Sequence, residues 1–375
     1  MSTHVLLISQ QVLPNLTPLL DPAIKPQKVI MLVSQTMQKR AEWLKQILTP
    51  TGIKTEIINI EDPFDMHSVR DSVTELIINN ENLTLNATCG TKLMCIAAYE
   101  EFRSAGLPIY YVHPESDLLI WLHDRNRKNH QISDRIKLDT FLTAHGAKVS
   151  AISRHKPKTD DVDLAEKIIQ EVSYFATSVT ELNYLAQQSK KGLNSPKIAD
   201  MDIRNHDAFN DLLDIFSSNK YLQQINGKLR FSNEANRFFV NGGWIEHWVY
   251  NKVRNLAQAE TAIHDVAYNL QIERSFSRGT PVKNEIDAAF LYNNRLHIIE
   301  CKTRKLRAGN SIGADTLYKL ETLKPIMGGL QARAMLISLL PVPDKDKTRA
   351  SELNITICDG QQVQNLEDSL MRFLN

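Results

Sequence analysis

The sequence is poor in the features that mark secreted, membrane and zinc-binding proteins. Its only cysteines are Cys89, Cys95, Cys301 and Cys358. They form no CxxC pair and have no histidine partner at ligand spacing, which argues against a disulfide framework or a zinc site. The chain begins without a basic leader and has no run of the ~18 apolar residues that a membrane helix needs. We therefore expect a cytoplasmic protein with no membrane role.

Two further absences narrow the function. The formal net charge is only +1, which excludes a protein that coats DNA through overall basicity. No GxGxxG follows the first predicted strand and no GxxxxGK[ST] occurs, so the sequence carries neither a dinucleotide fingerprint nor a P-loop. What it does have is size and apolar content, because 375 residues of which 42% are hydrophobic suffice for two or three packed domains.

Short apolar runs alternate with amphipathic segments over residues 1–150. This alternation predicts a Rossmann-like parallel sheet with helices on both faces. The predicted helices lie near 36–49, 66–79 and 91–105. The predicted strands are His4–Ser9, Val29–Ser34, Glu56–Ile60, Leu83–Thr88 and Ile109–Val112.

Three of these strands end in short polar turns, and ligands of such folds bind beyond the carboxyl ends of the strands. In the last of the three turns Gly90 permits a tight bend, Thr91 can cap the next helix and Lys92 lies near its positive end. An ordinary capped strand–helix turn would have the same residues, so that alternative stays open here. The candidate ligand-binding residues are Ser9, Gln10 and Gln11, then Ser34, Gln35 and Thr36, and finally Thr88, Cys89, Gly90, Thr91 and Lys92.

Residues 151–235 combine amphipathic segments with an Asn226-Gly227 pair between two short apolar-bearing runs. Asn-Gly in this setting is a strong hairpin signal, and helices followed by a hairpin resemble a winged helix. A wing could contact nucleic acid through Lys228 and Arg230. We favour a rigid connector, because the helices carry many acids and no dense basic face. Leu193–Pro196 is predicted to be a linker.

Two apolar, β-favouring runs flank Asn293-Asn294 near the centre of the last third of the chain. Asn tolerates the positive φ of tight two-residue turns, so the pattern predicts a β-hairpin. Residues two apart on a strand share a face of the sheet, and charged side chains would therefore gather on one side. Counting outward from the turn pairs Asp287 with Glu300 and Glu285 with Lys302.

Like charges placed opposite each other repel, and a hard cation such as Mg²⁺ or Mn²⁺ between the oxygens would remove the repulsion. An edge hairpin with a solvated charged face is the simpler interpretation of any lone motif of this kind. Both faces of this hairpin look buried, however, and buried charges without a partner cost several kcal/mol. The apolar side chains are Leu291, Leu296 and Ile298 beside the carboxylates, and Ile286, Phe290 and Ile299 on the other face.

The segment Asp287…Glu300-Cys301-Lys302 resembles the PD-(D/E)xK nuclease core. The resemblance implies that Asp287, Glu300 and the backbone carbonyl of Cys301 bind metal, and that Lys302 orients or polarises the attacking water. That family places a further metal-binding Glu on the helix before the hairpin, which Glu246 matches. The departure is at the first motif position, where Glu-Ile-Asp replaces Pro-Asp, a change that the superfamily tolerates.

The Gly-Thr-Lys turn after the fourth predicted strand looks like that of CARF domains, the sensors of cyclic oligoadenylate in type III CRISPR defence. Joined to the nuclease motif, it makes nearly the entire chain similar to the CARF–nuclease effectors of that system. The resemblance implies a homodimer with a CARF sensor at 1–150, a helical, winged-helix-like connector at 151–235 and a PD-(D/E)xK, restriction-endonuclease-like domain at 236–375. It also implies activation by cyclic oligoadenylate, with cyclic tetra-adenylate expected, and metal-dependent cleavage of single-stranded DNA and RNA or nicking of duplex DNA.

Three other functions fit parts of the sequence. A restriction or repair enzyme of the PD-(D/E)xK type would cut without any nucleotide ligand. A transcription regulator with a winged helix would not need the hairpin carboxylates. A nucleotide-modifying α/β enzyme would place its chemistry near Thr88–Lys92. A nuclease assay with metal, with and without cyclic tetra-adenylate, separates these functions.

Overall fold

The computed structural model describes residues 2–123, 126–134, 136–274, 281–304 and 311–374. The chain divides into two compact units. Within the described ranges, no helix is both long and apolar enough to cross a membrane. The first unit comprises Met1–Val149, Glu273–Val282 and Met327–Gly329, and the second comprises Ser150–Ile272, Lys283–Ile326 and Leu330–Asn375.

The first unit is built on a seven-stranded sheet in the order β3-β2-β1-β4-β5-β6-β7. The first five strands in this order pair in parallel and the last two are antiparallel. Its strands are β1 (Thr3–Leu7), β2 (Lys28–Ser34), β3 (Lys54–Ile60), β4 (Leu83–Asn86), β5 (Ile109–His113), β6 (Leu118–His123) and β7 (His130–Gln131). Its helices are α1 (Leu13–Leu20), α2 (Gln38–Leu48), α3 (Met66–Asn79), α4 (Lys92–Ser104) and α5 (Leu138–Ala144).

All five predicted strands and all three predicted helices of this unit are confirmed, with ends within a few residues of those expected. The prediction missed β6, β7, α1 and α5. Helix α1 contains Pro14 in its first turn, where proline is tolerated, and Pro18 in its interior. Proline inside a helix removes a hydrogen bond and clashes with the preceding turn. A sequence pattern therefore argues against the very helix that follows β1.

The second unit contains a six-stranded sheet in the order β16-β15-β14-β13-β12-β8 and a small sheet in the order β10-β11-β9. Its strands are β8 (Lys148–Ser153), β9 (Asn194–Lys197), β10 (Gln223–Ile225), β11 (Lys228–Arg230), β12 (Ile263–Arg274), β13 (Val282–Tyr292), β14 (Arg295–Lys302), β15 (Arg333–Ser338) and β16 (Ile355–Asp359). Its helices are α6 (Thr159–Gln170), α7 (Val172–Gln188), α8 (His206–Ser218), α9 (Glu234–Phe238), α10 (Trp244–Ala259), α11 (Ser311–Gly328), α12 (Asp344–Glu352) and α13 (Leu366–Leu374).

Both predicted hairpins of this unit are confirmed. Strands β10 and β11 pair across Asn226-Gly227, and β13 and β14 pair across two Asn residues whose φ angles are +48° and +54°. All six apolar side chains expected on the two faces of the second hairpin are buried. The prediction of a linker at Leu193–Pro196 was wrong, because Asn194–Lys197 forms β9 and pairs with β11.

Three buried histidines are predicted to contribute less to stability in acid. Burial lowers the pKa of His4, His145 and His297 to about 4 from the ordinary 6.5. Below pH 6.5 these histidines take up protons in the unfolded chain but not in the folded one, so their contribution to stability falls as the pH drops from 6.5 to 4. The loss is up to about 1.4 kcal/mol per histidine and pH unit.

Thermal unfolding followed between pH 7.5 and pH 5 measures this loss. His297→Gln is expected to flatten part of the dependence, whereas His206→Gln, which changes an exposed imidazole, should leave it unchanged. The raised pKa values of Asp287 and Glu246 add an opposite dependence in both proteins, so the comparison is between variants. The same pH dependence in His297→Gln and the unaltered protein would contradict the prediction.

Candidate active site

The centre of the second unit's large sheet carries the two predicted hairpin carboxylates. Asp287 on β13 is 8% exposed and Glu300 on β14 is 4% exposed. The backbone ladder between the two strands runs from Tyr292–Arg295 to Ala288–Ile299, in the predicted register. One step further, the N–H of Cys301 donates to Oδ2 of Asp287 at 2.6 Å. The Asp287 carboxylate thus accepts a backbone hydrogen bond just beyond the end of the ladder.

Glu300 is held by two lysines. Lys302 Nζ lies 2.6 Å from its Oε1, and Lys319 Nζ lies 2.7 Å from its Oε2. The two ammonium groups come from different elements, since Lys302 ends β14 and Lys319 projects from α11. Both oxygens of this buried carboxylate therefore accept charge-assisted hydrogen bonds. We call Glu300 with its two lysines the lysine clamp.

Glu246 lies in the first turn of α10, as predicted. Gly242 just before that helix has φ +111°, and a Cβ there would lie 2.6 Å from Oγ1 of Thr303. Thr303 directly follows Lys302, the last residue of β14. The absence of a side chain at Gly242 therefore allows the start of α10 to approach the end of that strand. Burial first, and then the charges of Asp287 and Glu285, hold the pKa of Glu246 well above its ordinary value.

The pKa shifts show that these groups form one electrostatic cluster. Burial, followed by the charge of Glu300, raises the pKa of Asp287 to about 7. Burial alone would lower the pKa of Lys302, but the charges of Glu300 and Asp287 outweigh it and raise that pKa. Lys302 is therefore a stable cation at neutral pH. The structure brings together all four predicted catalytic residues, Glu246, Asp287, Glu300 and Lys302.

Lys319 is the site residue that sequence reasoning missed. Helix α11 buries Thr316, Leu320, Leu323 and Met327, which recur at the i, i+4 and i+7 spacing of an inward face. Lys319 falls on the same face, three residues after the first of these. A lone cation on the buried face of a helix requires an anionic partner. The position of Lys319 on this apolar face is therefore the sequence feature that could have predicted its contact with a buried carboxylate.

The donor chemistry of the site fits a hard divalent cation. Carboxylate oxygens are the ligands that Mg²⁺ and Mn²⁺ prefer. Burial first, and then repulsion between the carboxylates, raises the pKa values of Glu246 and Asp287, and a cation would offset both effects. Among the described residues, no three His, Cys, Asp or Glu side chains are already arranged around a cation position. In the lysine clamp the ammonium groups occupy the Glu300 oxygens, so a metal would have to compete with them.

This competition gives a prediction for Lys319→Ala. Removal of one ammonium leaves Glu300 more available to a cation, so half-maximal cleavage is expected at a severalfold lower Mn²⁺ concentration. Without metal the same variant should melt earlier, because a buried carboxylate loses a partner. Metal titrations of cleavage and of melting temperature measure both effects, with the exposed Lys345→Ala as the matched control. An unchanged metal requirement would contradict competition at Glu300.

The candidate ligand residues of the first unit lie at one edge of its sheet. Strand β1 lies between β2 and β4, so the turns after these three strands are neighbours. The Cys89 thiol lies 3.4 Å from the carbonyl oxygen of Gln11, which joins the turns after β4 and β1. Ser34 and Thr36 share a hydrogen bond of 3.3 Å within the turn after β2. Gln10 and Gln35 are exposed there.

The turn after β4 has the geometry that its sequence predicts. Gly90 has φ +90°, and a Cβ there would lie 2.8 Å from Cβ of Leu7. Thr91 caps α4 by accepting the Met94 N–H at 3.1 Å, and its hydroxyl donates to the Pro63 carbonyl at 2.7 Å. Lys92 is exposed at the first position of α4. Thr91 is therefore the N-cap of α4, and the exposed Lys92 remains available to bind an anion.

A buried amide supports this edge and was not predicted. Asn86 ends β4 with 0% exposure, and its Nδ2 donates to the Pro14 carbonyl at 2.8 Å. Its Oδ1 accepts the backbone N–H of Thr88 at 3.1 Å. The Thr88 hydroxyl in turn accepts the Val112 N–H at 2.8 Å. These bonds fix the turn after β4 against the start of α1 and the end of β5.

A Rossmann-like unit with polar strand ends and a second unit with a carboxylate–lysine nuclease site define an endonuclease that carries a ligand-binding domain. The family model of the Card1 CARF domain matches residues 3–141, and the model of the Card1-like endonuclease domain matches residues 232–374. The chain belongs to the Card1-like CARF endonucleases, a family of type III CRISPR systems.

Solved structures resemble the chain over its whole length. Protein VC1899 from Vibrio cholerae is 32% identical with a TM-score of 0.90, and the alignment covers 100% of this chain and 98% of that one. Can2 from Sulfobacillus thermosulfidooxidans, solved in complex with cyclic tetra-adenylate, is 27% identical with a TM-score of 0.82 and 100% coverage of both chains.

A more distant structure shares the fold alone. It is a type III CRISPR defence DNA nuclease activated by cyclic oligoadenylate, 17% identical with a TM-score of 0.59, and the alignment covers 99% of this chain and 51% of that one. No curated protein sequence matches the chain.

Proposed function

We propose that this endonuclease cleaves single-stranded DNA and RNA, or nicks duplex DNA, in a metal-dependent reaction that cyclic oligoadenylate switches on in antiviral defence. The observation that carries the proposal is the pair of buried carboxylates, Asp287 and Glu300, with Lys302 beside them, in the segment that matches the endonuclease family model. We assign residues 1–150 to ligand sensing, 151–235 to the connection and 236–375 to cleavage, in a cytoplasmic homodimer.

Each site residue has a defined part in this proposal. Asp287, Glu300, Glu246 and the Cys301 carbonyl would hold Mg²⁺ or Mn²⁺, which when bound lowers the pKa of water and offsets charge on the phosphate. The Cys301 N–H fixes Asp287 through Oδ2, and Oδ1 would be available to hold the metal. Lys302 remains protonated, so it donates hydrogen bonds and orients the attacking water rather than removing its proton.

The sensor proposal depends on the three turns at the carboxyl edge of the first sheet. Their exposed amides and Lys92 suit a phosphate-bearing ring, and Can2, which is 27% identical, was solved in complex with cyclic tetra-adenylate. We propose cyclic tetra-adenylate as the activator of this chain. A two-fold dimer would present two copies of the turns to a ring with matching symmetry.

The test is an endonuclease assay on the full chain with labelled single-stranded DNA, single-stranded RNA and supercoiled plasmid. The reactions contain Mn²⁺, Mg²⁺ or EDTA, each with and without cyclic tetra-adenylate. We expect cleavage only with metal and strong stimulation by the cyclic nucleotide. Equal cleavage without the nucleotide would support the ligand-independent alternative, and cleavage in EDTA would refute metal dependence.

A further inference from the structure

The small sheet β10-β11-β9 presents an unpaired basic surface. Leu229 at the centre of β11 is fully buried, and its N–H donates to the buried Ser195 hydroxyl at 2.8 Å. The neighbours of Leu229 on β11, Lys228 and Arg230, therefore face the opposite way and are exposed. One face of the sheet packs on the core, and the other faces solvent with two cations.

Three more lysines extend this surface. Lys197 on β9 is the direct cross-strand partner of Lys228. Lys190 and Lys191 follow α7 and precede β9, a segment held to the end of β11 because the Phe231 N–H donates to the Leu193 carbonyl at 2.9 Å. We call Lys190, Lys191, Lys197, Lys228 and Arg230 the basic surface.

In the part of the chain that the structure describes, none of these five cations forms a salt bridge. The Glu234 carboxylate is bound by Arg237 at 2.6 Å, and this hydrogen bond first, and then the charge of Lys190, helps to lower the pKa of Glu234. Asp200 lies exposed three residues beyond Lys197. Like charges directly opposite on neighbouring strands are destabilising, so the Lys197–Lys228 pair favours the approach of an anion.

Helix α7 places the basic surface near the candidate active site. Asn183 on this helix donates from Nδ2 to Oγ1 of Thr303 at 2.9 Å, and Thr303 directly follows Lys302. Helix α7 ends at Gln188, five residues after Asn183 and roughly 8 Å further along the helix axis, and Lys190 follows two residues later. The Lys190 end of the basic surface therefore lies within a few nucleotides of a strand that reaches Lys302.

We propose that the basic surface binds the sugar–phosphate backbone of the nucleic acid strand that the active site cuts. This inference rests on the proposed function, and it names the substrate-binding surface outside the catalytic cluster. All five residues lie between the segments that match the two family models. Backbone contacts of this type hold any sequence, since they carry no base recognition.

The test measures binding separately from cleavage. Fluorescence anisotropy of a labelled single-stranded oligonucleotide is recorded with the full-length Asp287→Asn protein, alone and combined with Lys228→Glu and Arg230→Glu, over a series of salt concentrations. The double charge reversal should weaken binding at least tenfold. It should reduce the slope of log affinity against log salt by about 1.4, because each lost phosphate contact removes about 0.7.

The matched control reverses two exposed lysines of the same unit, Lys167→Glu and Lys345→Glu, and should keep both affinity and slope. Cleavage is measured in the active protein, which retains Asp287. There the same charge reversal at Lys228 and Arg230 should raise KM for long strands and leave kcat unchanged. If the charge reversal disturbs folding, Lys228→Gln with Arg230→Gln should give the same changes at smaller size.

The outcomes separate this inference from the proposed function. Loss of affinity equal to that of the control pair, or an unchanged salt slope, overturns the basic surface as a binding site. If the unaltered protein binds nucleic acid through these residues but cuts no strand, the basic surface is supported as a binding site and the nuclease assignment is refuted.

Discussion

Replacing Asp287 by Asn or Glu300 by Gln is expected to abolish cleavage while the fold remains intact. Both changes keep the size and shape of the side chain and remove its charge. The site then loses a ligand for the cation and the field that keeps Lys302 protonated. We expect a fall in rate on the order of 10²–10³ or more, as when a group that stabilises transition-state charge is removed.

Folding must be measured beside activity for these variants. Asn at 287 retains an oxygen for the Cys301 N–H, and the neighbouring strands are buried on both faces, so the melting temperature should change little. Glu321→Gln makes the same chemical change at an exposed position of α11 and should cut at the normal rate. Near-normal cleavage by Asp287→Asn or Glu300→Gln with Mn²⁺ would show that the active site lies elsewhere.

Lys92→Glu is expected to uncouple the activator from cleavage. A cyclic tetranucleotide carries about four negative charges, and each charge-assisted hydrogen bond is worth roughly 1.5–3 kcal/mol. Since about 1.4 kcal/mol is a factor of ten, reversal of this charge in both subunits of the proposed homodimer should raise the activating concentration at least tenfold. A ligand shifts a protein toward its active state only through its higher affinity for that state, so weaker binding means weaker gating.

The measurement is cleavage rate against the concentration of cyclic tetra-adenylate. Lys54→Glu is the matched control, because Lys54 is exposed at the amino end of β3, the opposite edge of the sheet. Thr91→Ala should have a smaller effect on activation and also lower stability by about 1 kcal/mol, because Thr91 caps α4. Superimposable curves for Lys92→Glu and the unaltered protein would remove Lys92 from the ligand site.

The hairpin shows how much a local pattern can predict. Its turn, register and buried faces follow from two Asn residues and alternating side chains. Glu246 is predicted to lie beside Asp287 only through the resemblance to the PD-(D/E)xK family. Lys319 could not be placed in the same way. It reaches Glu300 from a helix nineteen residues further along the chain, and contacts of this kind depend on how the helix packs on the sheet.

Tertiary pairing also decided the parts of the fold that were missed. Ser195 and Pro196 suggested a linker, yet this segment pairs with β11, and the buried Ser195 hydroxyl accepts a bond from its centre. Helix α1 forms despite two prolines, because nearly all its side chains are buried. In both places burial and long-range hydrogen bonds outweigh local preference.

The lysine clamp has a consequence for the order in which the reactants arrive. Glu300 is offset by two ammonium groups, and burial with mutual repulsion favours the uncharged forms of Glu246 and Asp287. A pocket balanced in this way repels a phosphodiester far less than three bare carboxylates would. A strand would therefore be able to enter before a cation. Its phosphate would compete with Glu300 for the two lysines, which would leave that carboxylate available to hold a metal.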